Sequence, residues 1–587
     1  WGAALEGMDV DRDNFEEALV AIEEHLPAAA FVAVDYEFTG IRGPWETSVA
    51  RGDVPQVQYA KMRKVVNQPF NVVQAGICLF EETAPGAFQC RPFNVFVFPR
   101  AVDERTDDGK VIQDDPFLGL SASTVAFLAE NGLDFQRWLT KGVSYTSASA
   151  EAELLKAMPP EEGAVCEAAV KSGFRAGKER LEPKRPGDIE LIDATLRTVG
   201  EFVASGAEDM KLPSMNNFMA LVIRQRINEV YPKLTVEKRG SASNFHQERW
   251  VMNLSPEGKV KRNQDKRREL LALIGFRRLW RLLKTSKKPL IVHNGFFDLL
   301  FSFAAFDRPL PPTLEAFKAQ VHLAFPAVFD TKVLGETPEL SGRLGPRTVL
   351  AGMGEALGRR MRPLSAAGAT RSAGTGEAPD AEDVSLITIG ESGEEVVHLS
   401  FSLPEGFDRY SKSVEFHTAG YDAFVTGQIF AYFRAVLGGE RIEDFSNRVY
   451  LMFSAFQLEL SRQSDRLMFD GVVRYLCHVS ASIGGSRGLE QLLRPLTQEG
   501  DRRAEFRWIG QDSLLLVLHG GDAAAGAPGR EACEEALDAL LRREAQEGAL
   551  RFAPLEAHLQ AVSGVAVTLG GREGAEEEPP AKRPRPV

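Results

Sequence analysis

Apolar residues recur along this chain with two different periods, and the switches between them mark its elements. Asp13 to Leu26 carries Phe15, Leu19, Ile22 and Leu26 at helical spacing. Phe31 to Val34 is a continuous apolar run of strand type, broken by Asp35 and Glu37. Arg51 to Asn67 is polar and predicts a helix. Val72 to Phe80 and Arg91 to Pro99 predict strands, the second with Phe93, Val95 and Val97 alternating against Asn94, Phe96 and Phe98. Strands in close succession predict an antiparallel start to the sheet. Ser121 to Leu128 predicts a helix capped by Ser121 or Ser123.

A stretch rich in Lys, Arg, Pro and Gly near Cys166 to Gly187 reads as a boundary. Beyond it the pattern predicts helices over Asp188 to Ala204 and Phe218 to Tyr231, and a strand over Val251 to Leu254. Gly258 to Arg268 is strongly basic and predicts a solvated connector in preference to a phosphate-binding patch. Leu270 to Leu283 predicts one more apolar helix. Lys288 to Phe303 predicts a buried strand, a turn at Asn294-Gly295 and a helix carrying Asp298. Phe325 to Leu334 predicts a strand ending in Asp330-Thr331-Lys332. Leu364 to Glu382 is Ala-, Gly-, Ser- and Pro-rich and predicts a disordered insertion. His417 to Phe430 predicts a loop running into a helix with Asp422 on it. From Val472 a strand, a helix (Gly488 to Leu496), two strands (Glu505 to Ile509, Leu514 to His519), a long helix (Arg530 to Glu544) and a closing run (Val562 to Leu569) predict a ferredoxin-like sheet. The tail from Gly571 is acidic, then basic, and predicts disorder.

At 587 residues the chain is too long for one core, and roughly three or four domains are expected. The formal net charge is −13, so any affinity for nucleic acid has to come from local basic patches or from metal. The five cysteines form no CxxC pair, which argues against structural zinc and a disulfide framework. No run is apolar enough to span a bilayer and no signal peptide is found, so an intracellular protein with no membrane partner is expected. The chain begins at Trp1, and a natural start upstream is expected.

The candidate chemistry begins at Asp35 and Glu37. Two apart on a strand, they point to one face at the end of a buried run. Their mutual repulsion and the cost of desolvating them are removed by a cation, and hard divalent ions are held by a few carboxylates plus substrate phosphates. Gly40 lets a ligand backbone approach. Asp298, His417 and Asp422 complete an ordered set of four acids and one histidine. On an unbroken helix His417 and Asp422 would sit about 140° apart, so convergence needs His417 just before the first turn.

Four stretches, FVAVDYEFTGI, LIVHNGFFDLLFSF, LPPTLEAFKAQVHLAFPAVFDTKVL and EFHTAGYDAFVTG, carry a resemblance to the poly(A)-specific ribonuclease group of DEDDh exonucleases, over about Phe31 to Phe430. The resemblance implies an α/β fold: an RNase H-like exonuclease core with a mixed sheet (1–187 and 261–455), an inserted small α/β single-strand-binding-like domain (188–260) and a C-terminal RRM-like α+β domain (470–570), followed by a basic tail (571–587). The insertion's Arg-xxx-His signature is represented by Arg224 and Asn228, without the histidine. The RRM-like stretch FRWIGQDSLLL contains Trp508, but Leu514 to Leu518 offers none of the aromatic residues with which such sheets grip bases.

By the same resemblance Asp35, Glu37, Asp298 and Asp422 hold two Mg2+ ions about 4 Å apart, and His417 is the general base. Phe38 and Ile41 meet the terminal bases, and Lys332 lies near the scissile bond. The implied activity is Mg2+-dependent 3′-to-5′ removal of poly(A) from single-stranded RNA, releasing 5′-AMP. A homodimer is expected, located in nucleus and cytoplasm, with Lys582, Arg583 and Arg585 fitting an import signal. Two other readings stand beside it: a trimmer of small non-coding RNA 3′ ends, and a catalytically dead RNA-binding scaffold on the same fold.

Overall fold

In a computed structural model the described residues run 9–43, 53–105, 111–159, 181–363, 384–389, 396–467, 472–497, 503–508, 514–519 and 530–555, with breaks of one to eight residues inside 181–363, 396–467 and 530–555. The expectations for 364–382, Val562 to Leu569 and the tail from 571 lie outside them.

The large sheet is organised by β1 (Asp9–Val10), β2 (Phe31–Phe38), β3 (Val72–Ala84), β4 (Ala87–Phe96), β5 (Leu290–Val292), β6 (Val328–Asp330) and β7 (Arg448–Tyr450). Its central order is β4-β3-β2-β5-β6-β7. β2, β3 and β4 are antiparallel neighbours, as the close succession of their sequences predicts, whereas β5, β6 and β7 run parallel to β2. Three antiparallel strands continued by three that run parallel to β2 make this the RNase H-like α/β arrangement with a mixed sheet. The strands form where β-branched and aromatic residues cluster. Phe31 to Val34 are buried on both faces, as a central strand between two helical layers requires. The sheet takes in further strands up to Arg466–Leu467, past residue 455.

The Ala419–Leu437 helix lies across the middle of the sheet and is buried almost all round, which matches its mostly apolar sequence. The core it closes includes Phe31, Phe80, Phe88 and Phe430.

Two smaller units have their own cores. Helices Pro186–Ser205 and Asn217–Val230 pack Val199, Val222, Ile223 and Ile227 beside a three-stranded sheet of Asp209–Lys211, Glu248–Met252 and Thr235–Arg239. The C-terminal strands Arg503–Trp508, Leu514–His519, Val472–Val479 and Leu550–Ala553 make an antiparallel four-stranded sheet in that order. Its helices are Gly485–Thr497 and Arg530–Gln546.

One sequence expectation is corrected, and one strand was not foreseen: among the described residues Leu550–Ala553 directly follows the long helix and pairs with Val472–Val479. The single helix expected over Leu270 to Leu283 is two, Pro256–Ile274 and Phe276–Ser286, and the first takes in the basic stretch expected to be a connector. Unbranched Lys, Arg, Gln and Glu are good helix formers, so a basic run continues a helix readily. The break falls at Gly275, whose φ is +49°. A Cβ there would lie 2.0 Å from the Ser144 carbonyl oxygen, while the Phe276 N–H donates to that same oxygen. Only glycine permits this approach.

Asp330, fully buried at the end of β6, bolts three segments together. One carboxylate oxygen accepts the N–H groups of Asn294 (2.8 Å) and Lys332 (3.0 Å); the other accepts those of Gly295 (3.2 Å) and Tyr450 (3.0 Å). It thereby fixes the turn after β5, in which Asn294 is left-handed at φ +54°, and the helix start that follows. Asp330→Ala strips four backbone donors, one buried and three part-buried, of their acceptor. We expect it to destabilise the fold by about 4 kcal/mol or more, measured by urea unfolding, with Asp330→Asn costing less because one oxygen survives.

Candidate functional site

β2 outlasts its neighbour β5, whose pairing with it ends at Ile291 opposite Ala33. The last half of β2 therefore lines an open crevice at the carboxyl ends of the parallel strands, where α/β sheets hold their ligands. Asp35 and Glu37 face it and are partly exposed, while Tyr36 and Phe38 turn to the other face and are buried.

The other groups arrive from two helix starts. Asp298 is in the first turn of the Phe296–Phe306 helix, just after the turn that Asp330 fixes, and is 8% exposed. Asp422 is in the first turn of the Ala419–Leu437 helix and is 5% exposed. Helix N-termini favour acids at both places. The second helix starts unusually close to the sheet. Gly76 pairs with Asp35 across β2 and β3, and a Cβ on it would fall 1.8 Å from the Ala419 carbonyl oxygen. Any larger residue would lift the helix, and Asp422 with it, away from Asp35.

His417 sits two residues before this helix in a left-handed conformation, φ +70°, and is exposed. Its backbone N–H donates to Asp422 Oδ2 at 2.9 Å. Glu37, His417 and Asp422 each offer a ligand atom within 4.8 Å of the other two. The convergence that an unbroken helix would forbid is thus achieved by starting the helix at Ala419, after His417. The Phe127 ring meets the imidazole edge-on, centroids 4.8 Å apart.

The electrostatics follow from this crowding. Burial, and then the charges of Asp422, Asp298 and Glu37, push the Asp35 carboxyl well above its usual value. Glu37 is raised by burial, then by Asp422 and Asp298. Asp298 is pushed up to about 8 by burial and by the charge of Asp330. Asp422 is pushed up to about 7 by burial, against the pull of the His417 N–H. Partial burial lowers His417, favouring the neutral imidazole. Glu37, His417 and Asp422 thus meet within ligand distance, and Asp35 and Asp298 stand near enough for their charges to act within the same group.

The donor set fits a hard divalent cation. It is mostly carboxylate oxygen, and Asp422 Oδ1 is buried with no hydrogen-bond partner, a state that buried polar atoms rarely keep.

The four remaining expected site residues are placed differently. Phe38 is 9% exposed and stacks on Phe301 at 4.4 Å. Gly40 faces Phe70, whose ring would lie 2.5 Å from a Cβ there. Ile41 is 42% exposed. Lys332 Nζ donates to the Thr348 carbonyl at 2.8 Å and lies over the Tyr450 ring. Sequence reasoning gave no role to Gly76, Phe127 or Asp330. A glycine inside an otherwise bulky strand is the one signal that marked any of them.

The model of the CAF1 family ribonucleases matches residues 10–430, most of the chain. The chain belongs to the CAF1 ribonuclease family. It is 24% identical over 475 residues to the poly(A)-specific ribonuclease PARN of Xenopus laevis, covering 76% of this chain and 67% of the relative. It is 26% identical over 434 residues to the poly(A)-specific ribonuclease PNLDC1 of Mus musculus, covering 72% and 70%. The chain spans about two thirds of the length of such relatives, 64% for PARN of Danio rerio. Among solved structures, S. pombe Pop2p in its Mg2+ and Mn2+ bound form is similar at 13% identity and a TM-score of 0.34, over 76% of this chain and 99% of that one.

The raised acids set a pH dependence for this CAF1-family chain. Asp298 and Asp422 ordinarily titrate at 3.8 and are held at about 8 and about 7. Between those values the folded metal-free protein binds more protons than the unfolded chain, so this stabilisation is lost as pH rises toward 8. Cations replace the protons. We expect the rise in melting temperature on adding Mn2+ to EDTA-treated protein to be larger near pH 8 than near pH 6, measured by scanning calorimetry.

Proposed function

We propose that this chain is a divalent-metal-dependent 3′-to-5′ exoribonuclease that removes poly(A) from single-stranded RNA and releases 5′-AMP. The observation that carries this reading is the meeting of Asp35, Glu37, Asp298, Asp422 and His417 from three distant segments in one crevice. Preference for adenine rests on the relatives, which are named poly(A)-specific ribonucleases. A scaffold without activity would have no use for four crowded acids, each of which opposes its neighbours' ionisation.

The four carboxylates would hold two Mg2+ ions. When bound, the metal lowers the pKa of a water and stabilises the leaving 3′ oxygen. The chain's own residues do the rest. The neutral His417 ring takes the proton of the attacking water through a ring nitrogen. Asp422 Oδ2 holds the His417 backbone N–H, so ligand and base keep one geometry. Ile41, exposed at the end of β2, meets the terminal bases, and only an unpaired strand can bring its 3′ end into the crevice. Phe38 stacks on Phe301 behind β2 and Lys332 Nζ is bonded to Thr348, so neither is assigned a contact with the bases. Nucleus and cytoplasm are the proposed locations.

Mg2+-dependent release of AMP from oligo(A), run beside oligo(U) and oligo(C), tests the reading. Asp35→Ala is expected to abolish release. His417→Ala is expected to lower kcat by about 10²- to 10⁴-fold while Mn2+ binding persists. Undiminished turnover in Asp35→Ala would remove that residue from the site, and AMP release without added metal would overturn the metal dependence. We also propose a homodimer, as the resemblance implies; sedimentation equilibrium at micromolar concentration should give twice the 64.5 kDa chain mass.

A further inference from the structure

The four acids are fixed by the strand and helices that carry them, but the proposed base is not. His417 is exposed, lies outside the helix, and makes no side-chain hydrogen bond among the described residues. A general base is ordinarily oriented by a third group. Here the backbone on either side of the histidine is held instead, and both holds lead to Asp9.

Upstream, Glu415 is gripped by Arg409: Nε donates to Oε1 at 2.9 Å and an Nη reaches Oε2. The other Nη of Arg409 donates to Asp9 Oδ2 at 3.0 Å. The Glu415 carbonyl also accepts the Thr418 N–H at 3.1 Å, closing a turn around His417. Downstream, the Gly420 N–H donates to Asn94 Oδ1 at 3.3 Å, and Asn94 Nδ2 donates to Asp9 Oδ1 at 2.7 Å. Arg137 adds a second cation to Asp9 and reaches Asp11 at 2.8 Å. Asp9 belongs to the two-residue strand β1, pinned in parallel to β4 at Asn94. One carboxylate near the start of the chain thus holds residues 415 and 420, which bracket the histidine.

We propose that the Asp9–Arg409–Glu415 chain is a clamp that sets the His417 imidazole over the acids, making Arg409 and Glu415 positioning residues for phosphodiester hydrolysis. This rests on the exonuclease reading above. Bidentate Arg–carboxylate pairing fixes direction as well as distance, which a turn with a left-handed non-glycine residue needs. The Glu415 side chain is 20% exposed and that of Arg409 38%, so both can be changed without opening the core.

The test compares Glu415→Gln and Arg409→Lys, the second keeping the charge but losing the planar fork. Each is expected to lower kcat for oligo(A) about ten- to a hundred-fold, with KM, Mn2+ affinity and melting temperature close to those of the unaltered chain. Combined with His417→Ala, neither should lower kcat further. A second readout needs no turnover: the ring-proton NMR signals of His417, assigned by their loss in His417→Ala, should be shifted by the neighbouring Phe127 ring and relax toward free-histidine positions in both variants. Full kcat in both variants, a loss that adds to that of His417→Ala, or unmoved His417 signals would overturn the clamp. If the unaltered chain releases no AMP, the exonuclease reading fails, and the NMR comparison still decides whether Glu415 and Arg409 position the ring.

Discussion

Four carboxylates are packed into one crevice at the end of a sheet, and each makes its neighbours harder to ionise. Every unit by which a carboxyl is raised represents about 1.4 kcal/mol in favour of its neutral form, so the group resists being both charged and metal-free. What tolerates this is the rigidity of the carriers. Asp35 and Glu37 belong to a strand paired along β3. Asp298 and Asp422 stand in the first turns of two largely buried helices. The apolar core, with Phe31, Phe80, Phe303 and Phe317 almost wholly buried, supplies the stability that the acids give up. The crevice is selected for cation by default, since protons or metal must supply the missing positive charge.

The topology explains why the crevice lies where it does. β2 is the strand at which antiparallel pairing on one side gives way to parallel pairing on the other. Its parallel neighbour is only three residues long, so the second half of β2 has a free edge facing the Asp298 turn. Asp330 fixes that turn from beneath through backbone donors, and its own charge adds to the negative field at Asp298. Across the sheet the absence of a side chain at Gly76 lets the Asp422 helix descend onto the backbone. The approach of the two helix starts is thus governed by one buried acid and one missing Cβ, neither of which faces the crevice as a ligand.

Most of the core was legible because it follows period and composition: the continuous run of β2, the strand-turn-helix at Asn294-Gly295, the antiparallel opening of the sheet. The acids were legible as an ordered set, since two carboxylates at the end of a buried strand are costly enough to need a reason. The convergence of His417 with Asp422 was legible as a requirement, that the helix begin after His417. Tertiary devices were not. Gly275 breaks a helix because a carbonyl from Ser144 occupies the space of its Cβ, and no local pattern encodes that neighbour. Phe38 illustrates the same limit: its spacing from Asp35 is visible in sequence, but its burial against Phe301 depends on a helix more than 250 residues away.

His417 stands apart from the acids in how it is held, and the difference has a physical cause. As the proposed base, His417 has to meet a water that enters and leaves, so it cannot be sealed into the core as Asp298 and Asp422 are. It sits at the rim, where packing is thin, and it adopts a left-handed conformation that costs a non-glycine residue roughly 1–2 kcal/mol. Such strain persists only where the surroundings over-determine it. Here the surroundings are polar: Asp422 accepts the His417 N–H from below, while Glu415 and Gly420 are tied on either side to Asp9. Polar restraints of this kind act at fixed distances and angles, which dispersion contacts at an exposed edge do not. The division of labour is therefore what the chemistry demands: apolar packing immobilises the groups that must stay dry, and a hydrogen-bonded frame immobilises the one that must stay wet.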